Sequence, residues 1–394
     1  MKLSVPTNWD SELLEKLADY PVHDIYGVSD KNIIGAGRPA WALPSVSRKE
    51  IERHIKKIHS LGKTFTYLLN APCLNNMEYN RKTRWKIIEY IKWINDIGVD
   101  YVSVTIPYLM EIIKNNFPKL KLKASTILHI NSVQKAKFFE MLGIDDVTVD
   151  FMINRDFRLL ESIKRSTKSE ITLILNDVCL YQCPFRYYHY NIVGHSSQIL
   201  NPFRGFYPDY CTIKCIPIRL TSFKEILKIR WIRPEDINEY EKIGIDSFKI
   251  SGRTHSTDWI LRAVKAYLSR EYDGNLLDLI DCLESSNGGL ERRPFNIRKN
   301  RNFINYALTM PFRLCKNYYN WYLIKDEMSK YIYIDNRKLD GFIDFFKKND
   351  CLSSCTSCDY CGRWANEVIS ADQIQIDKYV NNILAISKKL ISIK

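Results

Sequence analysis

The chain has 394 residues, 45% of them hydrophobic, and a formal net charge of +13. That length exceeds the ~250–300 residues that one core usually organises, and the apolar share excludes a globally disordered chain. The charge suits a polyanionic partner such as RNA, or else a Lys-rich surface; the basic residues are scattered, with one modest cluster at Arg292, Arg293, Arg298, Lys299 and Arg301.

The opening residues, MKLSVPTNWDSELLEKL, lack the apolar run of a signal peptide. No stretch reaches the ~18 apolar residues of a membrane span. The expectation is a cytoplasmic protein with no membrane partner. In that compartment thiols stay reduced, and clustered cysteines bind metal more often than they pair.

In chain order the β-like runs are HDIYGV (23–28), TFTYLLN (64–70), YVSVTI (101–106), LKAST (122–126), DVTVD (146–150), ITLILND (171–177), IRWI (229–232) and DSFKIS (246–251). Helices lie between them. SRKEIERHIKKIHSLG places Ser47 and Glu50 at capping-box spacing, then an apolar stripe at Ile51, Ile55, Ile58 and Leu61, then Gly62 as a stop. STDWILRAVKAYL carries a similar stripe at Ile260, Ala263, Val264 and Tyr267. The phrases IGVD (97–100), LGID (142–145) and IGID (243–246) each end a helix-like segment at a Gly and enter a strand at once. Eight runs alternating with helices predict an α/β protein, a (β/α)8 TIM-like barrel over residues 1–275. The alternative is an open doubly wound sheet, but GAGRPA (35–40) lacks the third Gly of a dinucleotide fingerprint.

The connection after the sixth run is far longer than the 2–6 residues of an ordinary βα loop, and long barrel loops are usually functional. This insertion, 178–222, carries Cys179, Cys183, Cys211 and Cys215. ESSNGGLERRPFNIRKN predicts a polar linker within 276–300. Residues 301–394 then read as a small, mainly helical C-terminal module, ending in an amphipathic helix near 372–390.

The first cysteine set, CLYQC and CTIKC, opens just past a strand and closes the insertion. Four soft thiolates hold Zn²⁺ or a [4Fe–4S] cluster. The C-terminal ends of barrel strands form the active-site face, where a structural zinc has no need to sit, which favours iron–sulfur over zinc and over unliganded thiols. The second set, CLSSCTSCDYC, places Cys351, Cys355, Cys358 and Cys361 as C-x-x-x-C-x-x-C-x-x-C. It contains a ferredoxin-like run. Its first three cysteines also have the radical S-adenosylmethionine spacing, which those enzymes place after the first barrel strand. A fully ligated second [4Fe–4S] cluster or Zn²⁺ is the expectation. Cys73, Cys282 and Cys315 are isolated and read as free thiols.

IDSFKISGRTHSTDWILRAVKAYL (245–268) resembles the closing signature of peptidase family U32, in which a strand ends in K-I-E-G-R and leads into a helix. Lys249, Ile250, Gly252 and Arg253 match, and Ser251 stands in place of the family Glu. SSQILNPFRGFYPDYCTIKC is similar to the family's approach to a cysteine pair, and LKASTILHINSVQKAKFFEMLGIDDVTV to its strand–Ser-Thr–helix segment. The resemblance covers about residues 20–275. It implies a barrel whose inserted loop holds an iron–sulfur cluster, and oxygen-independent hydroxylation of RNA bases or quinone-precursor rings, with prephenate as a proposed oxygen source.

Three functions are therefore open. The first is an iron–sulfur oxidoreductase that works with an electron donor or acceptor protein on RNA or a peptide. There Arg253 would clamp an anion, Lys249 would sit deeper, Asn176 and Asp177 would face the same mouth, and His189 and His195 would offer proton transfer. The second is a peptidase, for which there is no H-E-x-x-H or G-x-S-x-G and only GHSS at 194–197. The third is a zinc-containing RNA-binding or maturation partner. The sequence sets no oligomeric state.

Overall fold

The computed structural model describes residues 1–280 except 203, 206 and 208, residues 311–324 and 328–349, and residues 351, 355 and 357–392. Eight parallel strands close a barrel in sequence order. They are β1 (Lys2–Pro6), β2 (Asp24–Gly27), β3 (Thr64–Leu69), β4 (Tyr101–Val104), β5 (Lys121–Ala124), β6 (Asp146–Thr148), β7 (Glu170–Ile174) and β8 (Ser247–Lys249). Helices follow the strands around the outside. The helix Arg48–Ser60 begins with the Ser47–Glu50 capping box and buries Ile51, Ile55 and Ile58. The helix Thr257–Ser269 buries Ile260, Ala263, Val264 and Tyr267. The three repeated glycine phrases mark helix ends directly before β4, β6 and β8.

The strand set differs from the sequence reading at two places. The first strand is KLSVP, at the very start of the chain. It pairs with β2 on one side and β8 on the other, with Ser4 opposite both Asp24 and Lys249, and so closes the barrel. Five residues ending in Pro are too few to show a period. IRWI (229–232) is not a strand. Its only ladder-like contact is Ile232 N–H to the Leu175 carbonyl at 2.7 Å, and its apolar content serves packing, with Trp231 stacked on Phe342 at 5.9 Å. A short buried β-branched run reads the same either way. Consequently the cysteine-bearing insertion follows strand seven, not strand six.

The C-terminal segment is built into the barrel. The helix Gln373–Ile391 lies along the insertion helix Tyr210–Thr221, where Lys214 Nζ donates to Ser387 Oγ at 2.7 Å. Trp321 Nε1 donates to Asp209 at 3.0 Å. Arg233, buried, donates to the Leu339 carbonyl at 2.6 Å and to Asn336 at 3.0 Å. A two-stranded antiparallel sheet, β9 (Ile332–Ile334) with β10 (Ile369–Ala371), is fastened by Asn275, whose side chain bonds Ile332 and Ile334. The predicted linker therefore starts late: Leu276, Leu277, Leu279 and Ile280 are core residues. The rest of that linker, Cys282 and the basic cluster lie outside the described residues. No helix among the described residues is long and apolar enough to cross a membrane.

Candidate active site at the barrel mouth

Alternate residues on each strand point into the barrel and stack in layers. The lower layer is ionic. Lys123 Nζ lies 3.3 Å from Asp24 and 3.4 Å from Asp146. Ser4 and Thr66 donate to Asp24 at 2.7 and 2.9 Å, and Thr172 donates to Asp146 at 2.8 Å. Above this plug, Tyr26, Ser103, Ser125, Thr148 and Lys249 line a cavity of about 50 Å³, with Arg38, Asp177 and Arg253 also on its wall.

Among the described residues Lys249 has no carboxylate within ion-pair distance, and Asp24 and Asp146 are held by Lys123. Its Nζ sits 3.9 Å over the Tyr26 ring. Burial first, then the charges of Lys123 and Arg253, bring its ammonium down to about 7, against the pull of Asp24 and Asp146. A neutral amine at the floor of a polar pocket can accept a proton.

The turn after β8 presents Arg253, and two residues shape it. Gly252 has φ of +141°, and a Cβ there would meet the Trp259 ring at 2.3 Å. Asn176 is fully buried. Its Nδ2 donates to the carbonyls of Ser251 and Leu279 at 3.0 and 2.8 Å, and its Oδ1 accepts from Ser251 N–H at 2.7 Å. Its whole amide is engaged with backbone, so Asn176 positions the Arg253 turn and does not face substrate.

The GAGR segment after β2 is a packing element. Gly35, with φ of +89°, abuts Ser197 and Gln198, each 2.7 Å from an added Cβ. Ser197 Oγ donates to the carbonyls of Ala36 and Gly194 and accepts from Ala36 N–H at 2.8 Å. The serine of GHSS is thus tied to backbone, and Ser196 is fully buried. The same packing sets Arg38 into the mouth.

A second cavity, of about 80 Å³, adjoins the first. It is lined by Cys179, Arg186, His189 and Tyr207, and shares Gly37, Arg38, Asp177 and Tyr190 with the barrel-axis cavity. His189 lies against Tyr207, its Nε2 within hydrogen-bond reach of the phenol and its ring stacked at 5.7 Å. His195 lines neither cavity. Of the two histidines, only His189 is in place for proton transfer at this site.

The four insertion thiols share one electrostatic neighbourhood. Cys179 and Cys183 are hydrogen-bonded to each other; that bond, then a Phe185 backbone bond and the guanidiniums of Arg186 and Arg219, lower the Cys183 thiol against burial, while the same bond and burial raise the Cys179 thiol against Arg186. Burial, then Cys215 and Cys183, push the Cys211 thiol up to about 12. Such a thiol ionises only when a cation binds it. Arg219 Nη2 lies 3.7 Å from Cys215 Sγ. Buried guanidiniums facing thiols fit a net-negative thiolate-bound group. Arg186 is itself anchored, with Nη1 and Nη2 each 2.9 Å from Asp150, and His129 Nδ1 is 3.3 Å from the same carboxylate.

In the C-terminal set, Cys351, Cys355, Cys358 and Cys361 line a separate cavity of about 80 Å³ beside Lys228 and Phe346. Burial lifts the Cys361 thiol to about 11, while Arg155 and Arg230 pull against it. Cys73 accepts the Asn75 N–H, and the described cysteines are all free thiols. Among the described residues, no three His, Cys, Asp or Glu side chains stand close enough to hold one metal ion.

Sequence reasoning missed Arg38, Arg186 with Asp150, and Tyr190. Their signals were present but weak: Asp150 ends the DVTVD run two residues past β6, Arg186 follows Cys183 by three residues, and Arg38 follows β2 in a glycine-rich turn.

A family model described as peptidase family U32 matches residues 36–183. An uncharacterized protease of Methanocaldococcus jannaschii is 30% identical over 340 residues, covering 85% of this chain and 86% of that protein. The 23S rRNA 5-hydroxycytidine C2501 synthase of Escherichia coli is 24% identical over 274 residues, covering 68% of this chain and 39% of that enzyme. The solved structure of the U32 peptidase Mk0906 superimposes with a TM-score of 0.44 at 19% identity, over 52% of this chain and 81% of that one.

Proposed function

This chain belongs to peptidase family U32, and within that enzyme family we propose that it is an iron–sulfur oxidoreductase that hydroxylates or otherwise oxidises its substrate at the barrel mouth without molecular oxygen. The observation that carries this reading is the junction of two cavities. The pocket holding Cys179 shares Arg38, Asp177 and Tyr190 with the pocket over Lys249. A group held by the insertion cysteines would therefore border the place where a substrate sits.

Cys179, Cys183, Cys211 and Cys215 would hold a [4Fe–4S] cluster, which supplies one-electron transfer or a Lewis-acidic iron. The chain's own residues do the remaining work. Arg38 and Arg253 bind an anionic group, since the barrel-axis cavity has Asp177 as its one carboxylate against Arg38, Lys249 and Arg253. Lys249 Nζ, which titrates near 7 and so is partly neutral at that pH, takes a proton from the substrate. Tyr190 and Trp41 give the neighbouring pocket aromatic surface on which a planar ring can rest. The relative named as a 23S rRNA 5-hydroxycytidine synthase and the net charge of +13 support an RNA base as substrate.

Anaerobic purification with iron and sulfide quantitation tests this. Brown protein with about four irons per barrel-mouth site, losing both iron and activity on Cys211→Ser and Cys215→Ser replacement, is the expected result. Colourless, zinc-loaded protein overturns it. Peptide cleavage by metal-free protein would return the hydrolase reading, which has no engaged Ser–His pair to build on at GHSS.

A further inference from the structure

We propose that the C-terminal cysteine set is a second redox centre, joined to the barrel-mouth set through Arg230 and Tyr181, and that single electrons pass between the two. This rests on the iron–sulfur reading above and extends it to Cys351, Cys355, Cys358 and Cys361.

Charge is the first argument. Arg155 and Arg230 are both buried. Arg155 donates to the carbonyls of Leu227 and Trp231 and lies 4.2 Å over the Trp231 ring. The two guanidiniums repel each other, and Asp236 is a carboxylate whose charge acts on Arg155. Two neighbouring buried cations are costly unless an anion compensates them. Both guanidiniums lie in the electrostatic neighbourhood of Cys361, which lines one cavity with Cys351, Cys355 and Cys358, and an all-thiolate metal centre there would be a buried anion. Guanidiniums beside such a centre favour its reduced, more negative state.

Contact is the second argument. Arg230 Cζ lies 3.8 Å over the ring of Tyr181, which stands between Cys179 and Cys183 in the chain. The same carbon lies 5.4 Å over the ring of Phe346, which lines the C-terminal cysteine cavity. One buried side chain thus lies over Tyr181, inside the first cysteine set, and over Phe346, on the wall of the second. The C-terminal cavity shares no lining residue with the two mouth cavities, so its centre would serve the mouth rather than bind substrate. In the step itself one electron leaves the reduced centre and enters the oxidised one. No bond forms or breaks and no proton moves. A one-electron carrier protein is the external donor or acceptor.

The experiment uses full-length protein purified anaerobically, with dithionite as reductant and low-temperature magnetic resonance as readout. Wild type should hold about eight irons in two clusters and show a magnetic interaction between them that Cys355→Ser with Cys358→Ser abolishes. Tyr181→Leu, at a half-buried position, should keep both clusters and slow electron equilibration between them tenfold or more. Arg230→Gln should lower the midpoint potentials of both. Zinc in the C-terminal site with iron at the mouth overturns this proposal and leaves the proposed function standing. Absence of iron from both sites overturns the two together. Two clusters with unchanged equilibration in Tyr181→Leu and unchanged potentials in Arg230→Gln overturn the connection alone.

Discussion

Arg186 grips Asp150 through both terminal guanidinium nitrogens, each 2.9 Å from a carboxylate oxygen, with both side chains nearly closed to solvent. The pair ties the start of the cysteine-bearing insertion to the end of β6. It also keeps a cation beside Cys179 and Cys183. Breaking a buried pair by removing one partner costs about 3–5 kcal/mol, because the other charge is left unpaired. Arg186→Gln and Asp150→Asn should each lower stability by that order. The double variant should lose clearly less than their sum, as read from denaturant melts.

Lys249 gives a pH signature. Its ammonium titrates near 7 when folded, against an ordinary value of 10.5. Below pH 7 both states carry the proton, and the full cost of burying the charge is present. Between 7 and 10.5 the folded state has released it while the unfolded state has not. Stability therefore rises with pH in that window, by up to about 1.4 kcal/mol per unit. Lys249→Met should be more stable than wild type at about pH 6, and the advantage should shrink toward about pH 9. Melts at the two pH values check this, and the same variant should lose turnover.

Asn176 and Gly252 hold one turn between them. Asn176→Ala strands the Ser251 N–H and two carbonyls in the core, at about 1–3 kcal/mol for each unmet group. Gly252→Ala drives a methyl into Trp259 at a φ that L-residues avoid. Both variants should melt earlier, and surviving protein should show a raised KM because Arg253 is displaced.

Removing residues 373–394 should expose the apolar face of the insertion helix Tyr210–Thr221, which carries Cys211 and Cys215. Ile376, Val380, Ile383 and Ile386 are buried in this helix, which packs on the insertion helix and on the helix Phe312–Ile324, each contributing about 1.5–3 kcal/mol. Limited proteolysis should cut within 210–221 in the truncated chain and spare it in the whole one. Equal resistance would mean the C-terminal helix is dispensable to the site.

Much of this site could be read from the order of residues. The K-I-S-G-R turn, the two cysteine sets and the pairing of Lys249 with Arg253 at one strand end are local features. Asn176 and His195 show the limit. A strand-end Asn and a loop His carry the same letters whether they face a substrate or backbone, and only their neighbours distinguish the cases. The same holds for Lys249: the sequence placed it deeper than Arg253 without its neighbours, and the barrel gave Asp24 and Asp146 to Lys123.

The sequence by itself determined the barrel, because strand and helix periods and Gly-ended helices are properties of a few adjacent residues. It also determined that four cysteines sit in one long connection between barrel elements and four more lie near the end. Only the tertiary structure decided that KLSVP closes the barrel in place of IRWI, since closure depends on two strands more than two hundred residues apart. It alone brought Cys179 into a cavity adjoining the barrel-axis pocket and set Arg230 over the rings of Tyr181 and Phe346. Burial and charge compensation are sums over neighbours distant in the chain, and no local spacing encodes them.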